Sequence, residues 1–172
     1  MEETKLLQQF TKIRTGDRAA FAAVYEAYKR PVYTLLRHML PPSQAEDVMQ
    51  DVFLSLLRTP PKEGIRNPKA WLYRMAHNRA VDVLRKGESL PLQEEMPAQG
   101  LPFESLAAQR LDLSRAMQTL NEEERALLSL RFTAMLTLRE SASVMGLSLP
   151  TASRRQKQAL KKLRQQLNGG TE

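Results

Sequence analysis

Residues 137–167 read TLRESASVMGLSLPTASRRQKQALKKLRQQL, and this stretch decides the fold. Thr137 to Met145 has the spacing of a short helix, Met145-Gly146-Leu147-Ser148 that of a turn, and Leu149 to Leu167 that of a longer second helix. A short helix, a glycine turn and a second helix make a helix-turn-helix. The second helix carries Arg154, Arg155, Lys157, Lys161, Lys162 and Arg164 and no acid, which suits a polyanionic partner. Its periodicity turns Ala152, Gln156, Ala159, Leu160, Leu163 and Leu167 inward and Ser153, Arg154, Lys157, Gln158 and Lys161 outward. The plainer alternative is a charged, solvated surface helix. A membrane surface fits less well, because the apolar side lacks aromatics.

The rest of the chain agrees with a nucleic-acid partner. Its 172 residues carry a formal net charge of +7, and 42% of them are hydrophobic, enough to bury a core. There is no cysteine, so disulfides and thiolate metal sites are excluded and a reducing compartment fits. Met1 leads into Glu2-Glu3 rather than a basic, apolar leader, and no run approaches the roughly 18 apolar residues of a membrane span. A soluble, cytoplasmic protein without membrane insertion is expected.

Strand signals are weak, and apolar residues recur at helical spacing. Phe21, Val24, Tyr25, Tyr28, Val32, Leu35 and Leu36 trace one stripe, with Asp17 placed to cap it and Pro31 expected to kink or break it. Ser43 and Glu46 suggest a capping box for a helix running to about Arg58. Residues 59–64 form a loop, and Asn67-Pro68 opens a helix to about Lys86 that Gly87 stops. Ser89 to Phe103, rich in proline with Glu94 and Glu95, reads as a linker. Helical patterning resumes from Phe103 to Leu120. Asn121 then caps a helix opening on three glutamates, and Asn168-Gly169-Gly170 closes the last helix. Net charge is +5 over residues 1–88, −3 over 89–112 and +5 over 113–172. Two basic helical modules on an acidic tether are expected, an all-α chain divided as 1–88, a flexible linker 89–102, and 103–172.

Two helix faces in the first module carry chemistry. Val48, Met49, Val52, Phe53, Ser55 and Leu56 form the apolar side of one helix, while Asp47, Gln50, Asp51 and Leu54 share the opposite face. That face is either a solvated surface or a docking site for a basic helix, with Leu54 as a small apolar anchor. On the next helix Leu72, Met75, Ala76, Arg79, Ala80 and Val83 lie on one side. Trp71, Arg74, Asn78, Asp82 and Arg85 follow another, and such a face can stack bases and hydrogen-bond their edges. Alternatively Trp71 is a core residue and the charges keep the helix soluble.

The segments Asp-Val-Met-Gln-Asp-Val-Phe (47–53) and Asn-Pro-Lys-Ala-Trp-Leu-Tyr-Arg-Met-Ala-His-Asn-Arg-Ala-Val-Asp-Val-Leu-Arg-Lys (67–86) resemble the second conserved region of extracytoplasmic-function sigma factors. These are small bacterial RNA polymerase initiation subunits. Block spacing, the C-terminal helix-turn-helix and total length resemble the family too. The resemblance implies that Asp47, Gln50, Asp51 and Leu54 dock on the polymerase clamp, and that the protein meets core RNA polymerase at its clamp and flap regions. It implies that Arg66, Asn67, Trp71, Tyr73, Arg74, Asn78, Asp82 and Arg85 recognise and open the minus-ten element, with the loop Lys62 to Asn67 holding a flipped-out base. A pocket of that kind returns part of the stacking energy lost on opening. It further implies that Thr151, Ser153, Arg154, Arg155, Lys157, Gln158 and Lys161 meet the minus-thirty-five element in the major groove, Arg154 on guanine and Gln158 on adenine. An anti-sigma protein is implied as an inhibitor. Against the family's pattern, Ser141 and Gln156 are polar and Ala152 is small at inward positions, so the two polar groups need partners, at about 1–3 kcal/mol each if left without.

No phosphate loop, zinc spacing or nucleophile motif appears, and His38 and His77 are far apart in sequence, so neither an enzyme nor a metal or other cofactor is expected. Two rival readings are a stand-alone helix-turn-helix regulator and a helical adaptor steered by its charge.

Overall fold

The computed structural model describes residues 1–87 and 107–169, with residues 107–111 and 169 as backbone only. Among the described residues the fold is helical, without strands. Four helices come first: α1 (Glu3–Arg14), α2 (Arg18–Arg37), α3 (Pro42–Arg58) and α4 (Pro68–Arg85). After them follow α5 (Ala107–Gln118), α6 (Glu122–Leu128), a π-helical turn (Ser129–Thr133), α7 (Leu138–Met145) and α8 (Leu149–Gly169). The linker with Glu94 and Glu95, residues 103–106 and the tail beyond Gly169 lie outside the described residues.

Local sequence accounts for most helix ends. The Asp17 carboxylate accepts from Ala20 N at 3.1 Å, and Asn67 caps α4 by accepting from Ala70 N at 3.0 Å. Asn121 with Glu124, and Thr137 with Glu140, form reciprocal capping boxes on α6 and α7. Gly146 ends α7 at φ +70°, a left-handed conformation that costs a residue without a Cβ nothing. Ser148 then accepts from Thr151 N at 3.3 Å and starts α8.

Two boundaries differ from expectation. α2 runs unbroken through Pro31, and the chain turns only after Arg37. Proline forfeits one helical bond, but Val24, Tyr28, Val32, Leu35 and Leu36 are buried on both sides of it, and their burial outweighs the loss. α3 begins at Pro42 with Pro41 at its N-cap, so Ser43 is already inside the helix and makes no capping box with Glu46. Proline's fixed φ preorganises that first turn without a side-chain cap.

α1 goes beyond the expected elements. Its stripe Leu6, Phe10 and Ile13 enters the core of the first bundle. The two modules also share that core, since Ala126, Leu130, Ala134, Leu136 and Val144 join the cluster built by α1 to α4. A smaller cluster of Leu120, Leu128 and Ala159, with Met117, Leu160 and Leu163 against it, holds α8 to its own bundle. Leu167, expected inward, is 42% exposed, because α8 outruns the helices it packs on. The polar inward residues find partners. Buried Ser141 donates to Thr137 O at 2.9 Å, and Gln156 accepts from Arg131 Nε at 2.9 Å. Ala152, fully buried, brings α8 close without a cavity-filling side chain.

Candidate polymerase and nucleic-acid interfaces

Three faces carry the expected residues. On α3, Asp47, Gln50, Asp51 and Leu54 are all exposed on one side, and Phe53 is core at 2% exposure. Leu57, 45% exposed, continues this stripe one turn on. It was legible as Leu54 plus three, and it doubles the apolar content of an otherwise acidic and amide surface. No other side chain of the described residues is hydrogen-bonded or ion-paired to Asp47 or Asp51, so the two carboxylates are free to meet a cationic partner.

On α4, Arg74, Asn78, Asp82 and Arg85 are exposed along one side. Trp71 meets Phe10 edge to face at 5.6 Å and is half-buried, so it packs against the core without being sealed in it. Arg66 is exposed on the preceding loop. Tyr73 corrects the expectation: it is 1% exposed, packs against Tyr28 at 6.3 Å, and cannot touch DNA. Its position two residues after Trp71 rotates it about 200° around the helix, into the bundle. Burial, then the neighbouring Tyr28, pushes its phenol far above the ordinary range.

The α4 face is covered in part by α7. The Asn67 amide donates to the Glu140 carboxylate, and the Arg74 guanidinium donates to the Ser143 hydroxyl. Although partial burial pushes Glu140 up, hydrogen bonds from Thr137 and Asn67 and the charge of Lys69 hold it below the usual carboxylate range. A carboxylate on Asn67 and beside Lys69 occupies the kind of position a DNA phosphate would take. At the opposite end of the seam Arg125 Nε donates to His38 O at 3.1 Å. Arg37 Nη1 donates to Leu40 O at 2.8 Å beneath it. Burial first, then Arg125 and Arg37, lowers His38 to about 4.

On α8 the outward face is open. Arg154, Lys157, Gln158 and Lys161 are exposed, and Ser153 and Thr151 flank them half-buried. Arg155 turns the other way and pairs with Glu123 of α6. Lys162 likewise pairs with Glu124 at 2.9 Å. The surface that can enter a groove is therefore narrower than the charge count of the helix suggests. Among the described residues no cluster of three or more His, Asp or Glu could hold a metal, and no helix is long and apolar enough to cross a membrane.

A bundle bearing an aromatic and amide face, followed by a cationic helix-turn-helix, defines a sigma-70-type initiation factor. Residues 24–89 match sigma-70 region 2, and residues 116–165 match sigma-70 region 4. The ECF RNA polymerase sigma factor RpoE of Cereibacter sphaeroides is 32% identical over 165 residues, 88% of each chain. The ECF sigma factor SigW of Bacillus subtilis is 27% identical over 185 residues, covering 96% of this chain and 98% of its own. The chain belongs to the extracytoplasmic-function sigma factors. Among solved structures, CnrH in complex with the cytosolic domain of CnrY matches with a TM-score of 0.69, 19% identity and coverage of 96% of this chain and 98% of its own. The sigma factor RpoE of Bartonella quintana, in complex with the anti-sigma factor NepR, matches with a TM-score of 0.68, 19% identity and coverage of 86% and 96%. At that identity these two speak for the fold alone.

Proposed function

We propose that this sigma factor binds core RNA polymerase through Asp47, Gln50, Asp51, Leu54 and Leu57, and directs it to promoters with two separate reading faces. The first bundle (1–88) takes the minus-ten element as single strand. Trp71 offers a ring for stacking, Arg74, Asn78 and Arg85 offer donors, Asn78 and Asp82 offer acceptors, and Arg66 and Asn67 flank the loop. The second (103–172) takes the minus-thirty-five element as duplex, with Arg154 and Gln158 on base edges and Lys157 and Lys161 toward phosphates. The linker (89–102) spans between them, and an anti-sigma protein is the expected inhibitor. The factor works in the cytoplasm, where polymerase is, and supplies binding energy rather than covalent chemistry.

The observation that carries this reading is the pair of faces on α4 and α8 within one chain, one suited to unstacked bases and the other to a groove. Asn67 and Arg74 are engaged with Glu140 and Ser143, so the two bundles must part before the strand can be read. A stand-alone regulator would have no use for the acidic α3 face, and an adaptor none for the free cations of α8. Run-off transcription with purified core polymerase is the test: defined starts are expected. Asp51→Arg places a cation where a carboxylate meets a basic partner, and should cut polymerase association at least a hundredfold with helical content unchanged. Retained association would remove the docking assignment.

A further inference from the structure

Arg14 has no part in the functions assigned above, yet its contacts converge on one place. It lies in the last turn of α1, and its Nη1 donates to the Pro61 carbonyl, 47 residues on, at 2.8 Å. Its Nη2 donates to Thr11 Oγ1 at 3.1 Å and stands 3.7 Å from the Glu63 carboxylate. The loop from Thr59 to Asn67 is otherwise anchored at its ends. Thr59 N donates to Ser55 O at 2.8 Å, and the Asn67 side chain and carbonyl hold the start of α4. Between those ends, among the described residues, Arg14 is the polar tie that fixes the loop from outside. Pro60 and Pro61 have no N–H to give, Gly64 turns the chain at φ +89°, and no backbone hydrogen bond joins residues 60–66 to one another.

The same helix floors a cleft of about 340 Å3, lined by Leu7, Phe10, Thr11 and Arg14 on one side and residues 61–65 on the other. Apolar walls from Leu7, Phe10 and Ile65 meet the Thr11 hydroxyl and the Glu63 carboxylate, a mixture that suits a flat ring with polar edges. Phe10 touches Trp71, so cleft, loop and strand-reading helix are joined through α1. The guanidinium is spent on Pro61, Thr11 and Glu63, with its side chain 23% exposed, which leaves it poorly placed to contact a phosphate itself.

We infer that Arg14 is a positioning residue for strand reading. By holding the Pro61 carbonyl and Glu63 it sets the shape of the loop and cleft around one unstacked nucleobase, and so the base preference at that one promoter position. The inference rests on the sigma-factor reading. Its test uses wild-type, Arg14→Ala and Arg14→Lys chains, each bound to core RNA polymerase. Each holoenzyme selects from a single-stranded DNA pool randomised across the minus-ten segment, and retained strands are sequenced. Arg14→Ala should lose about tenfold in preference at one position and keep its preferences elsewhere, the loss expected from one charge-assisted hydrogen bond. Arg14→Lys, which keeps the charge and one donor but not the fork, should fall between. A purely structural arginine would leave the base profile unchanged or weaken all positions alike, and either result in a folded variant overturns the inference. If Arg14→Ala does not fold, Arg14→Lys decides on the same terms, with its loss confined to one position or not. A wild-type holoenzyme that selects no base anywhere overturns the sigma-factor reading and this inference with it.

Discussion

The face of α4 proposed to read the strand and the face of α8 proposed to read the groove carry similar residue types but stand in opposite states. On α4, Asn67 and Arg74 are bonded to Glu140 and Ser143 of α7. On α8, Arg154, Lys157, Gln158 and Lys161 face solvent. The difference teaches where control of this factor sits. An exposed cationic helix can meet duplex at any time, with an affinity dominated by phosphates. A face sealed by a neighbouring helix can work only after the seal opens. The seal has an apolar part: Leu130, Leu136 and Val144 are buried in the shared core, where full burial of such a side chain contributes about 1.5–3 kcal/mol to folding, divided between the seam and its own bundle, against about 1 kcal/mol for a typical hydrogen bond. The polar bonds set the register of α7 on α4, and the buried leucines add strength. On the proposed function, docking of the α3 face on polymerase is the step that draws the bundles apart.

Acid tests the sealed side most strongly. His38 sits under Arg125 with its Nδ1 buried and unpaired, lowered from 6.5 to about 4. The unfolded chain then binds the proton first, so stability is lost as pH falls from about 6.5 to about 4. The loss from this one group is about 3 kcal/mol. His77, buried and also lowered, acts in the same sense. Urea unfolding from pH 7 to pH 4 should show this slope, and His38→Gln should flatten it by most of that amount. An equally steep slope in the variant would contradict the buried neutral imidazole. The open side should respond less and independently. Arg154→Ala is expected to cost about 1–3 kcal/mol in binding the upstream duplex and nothing in binding the melted strand. A loss on both would mean that the two faces are not separate.

The helices were legible because the apolar stripes are strong. Val24, Tyr28 and Val32, or Val48, Val52 and Leu56, leave little choice of inward side. The caps read at Asp17 and Asn121 fixed two helix starts, while the caps at Asn67 and Thr137 emerged only in the structure. The exposed sides of α3 and α8 were legible for the same reason, since exposure follows directly from periodicity. Resemblance puts Tyr73 on the DNA face, although helical periodicity already turns it away from Trp71, and its packing against Tyr28 confirms the inward side. What escaped was tertiary. Arg155 has the sequence context of a groove contact, and only the position of α6 turns it to Glu123. Pro31 signals a break wherever burial does not outweigh it. Glu140 and Ser143 gave no sign of covering α4, because contact between distant segments leaves no periodic trace. Arg14 is likewise an ordinary helix-terminal cation until the loop 47 residues away is seen against it.

The chain has no cysteine, which makes a direct test of the seal clean. The paired substitutions Arg74→Cys and Ser143→Cys put one thiol on each side of the α4–α7 contact, and, because cysteine is far shorter than the arginine it replaces, a reductively cleavable bis-maleimide bridges the gap and locks α7 over α4. Run-off transcription from a promoter with both elements is then measured with core polymerase, before and after reduction. The cross-linked factor should bind upstream duplex through α8 yet give no transcripts, and reductive cleavage of the cross-link should restore initiation. Equal initiation by the locked and the reduced protein would contradict the account, because α4 would then be reading the strand with α7 still in place.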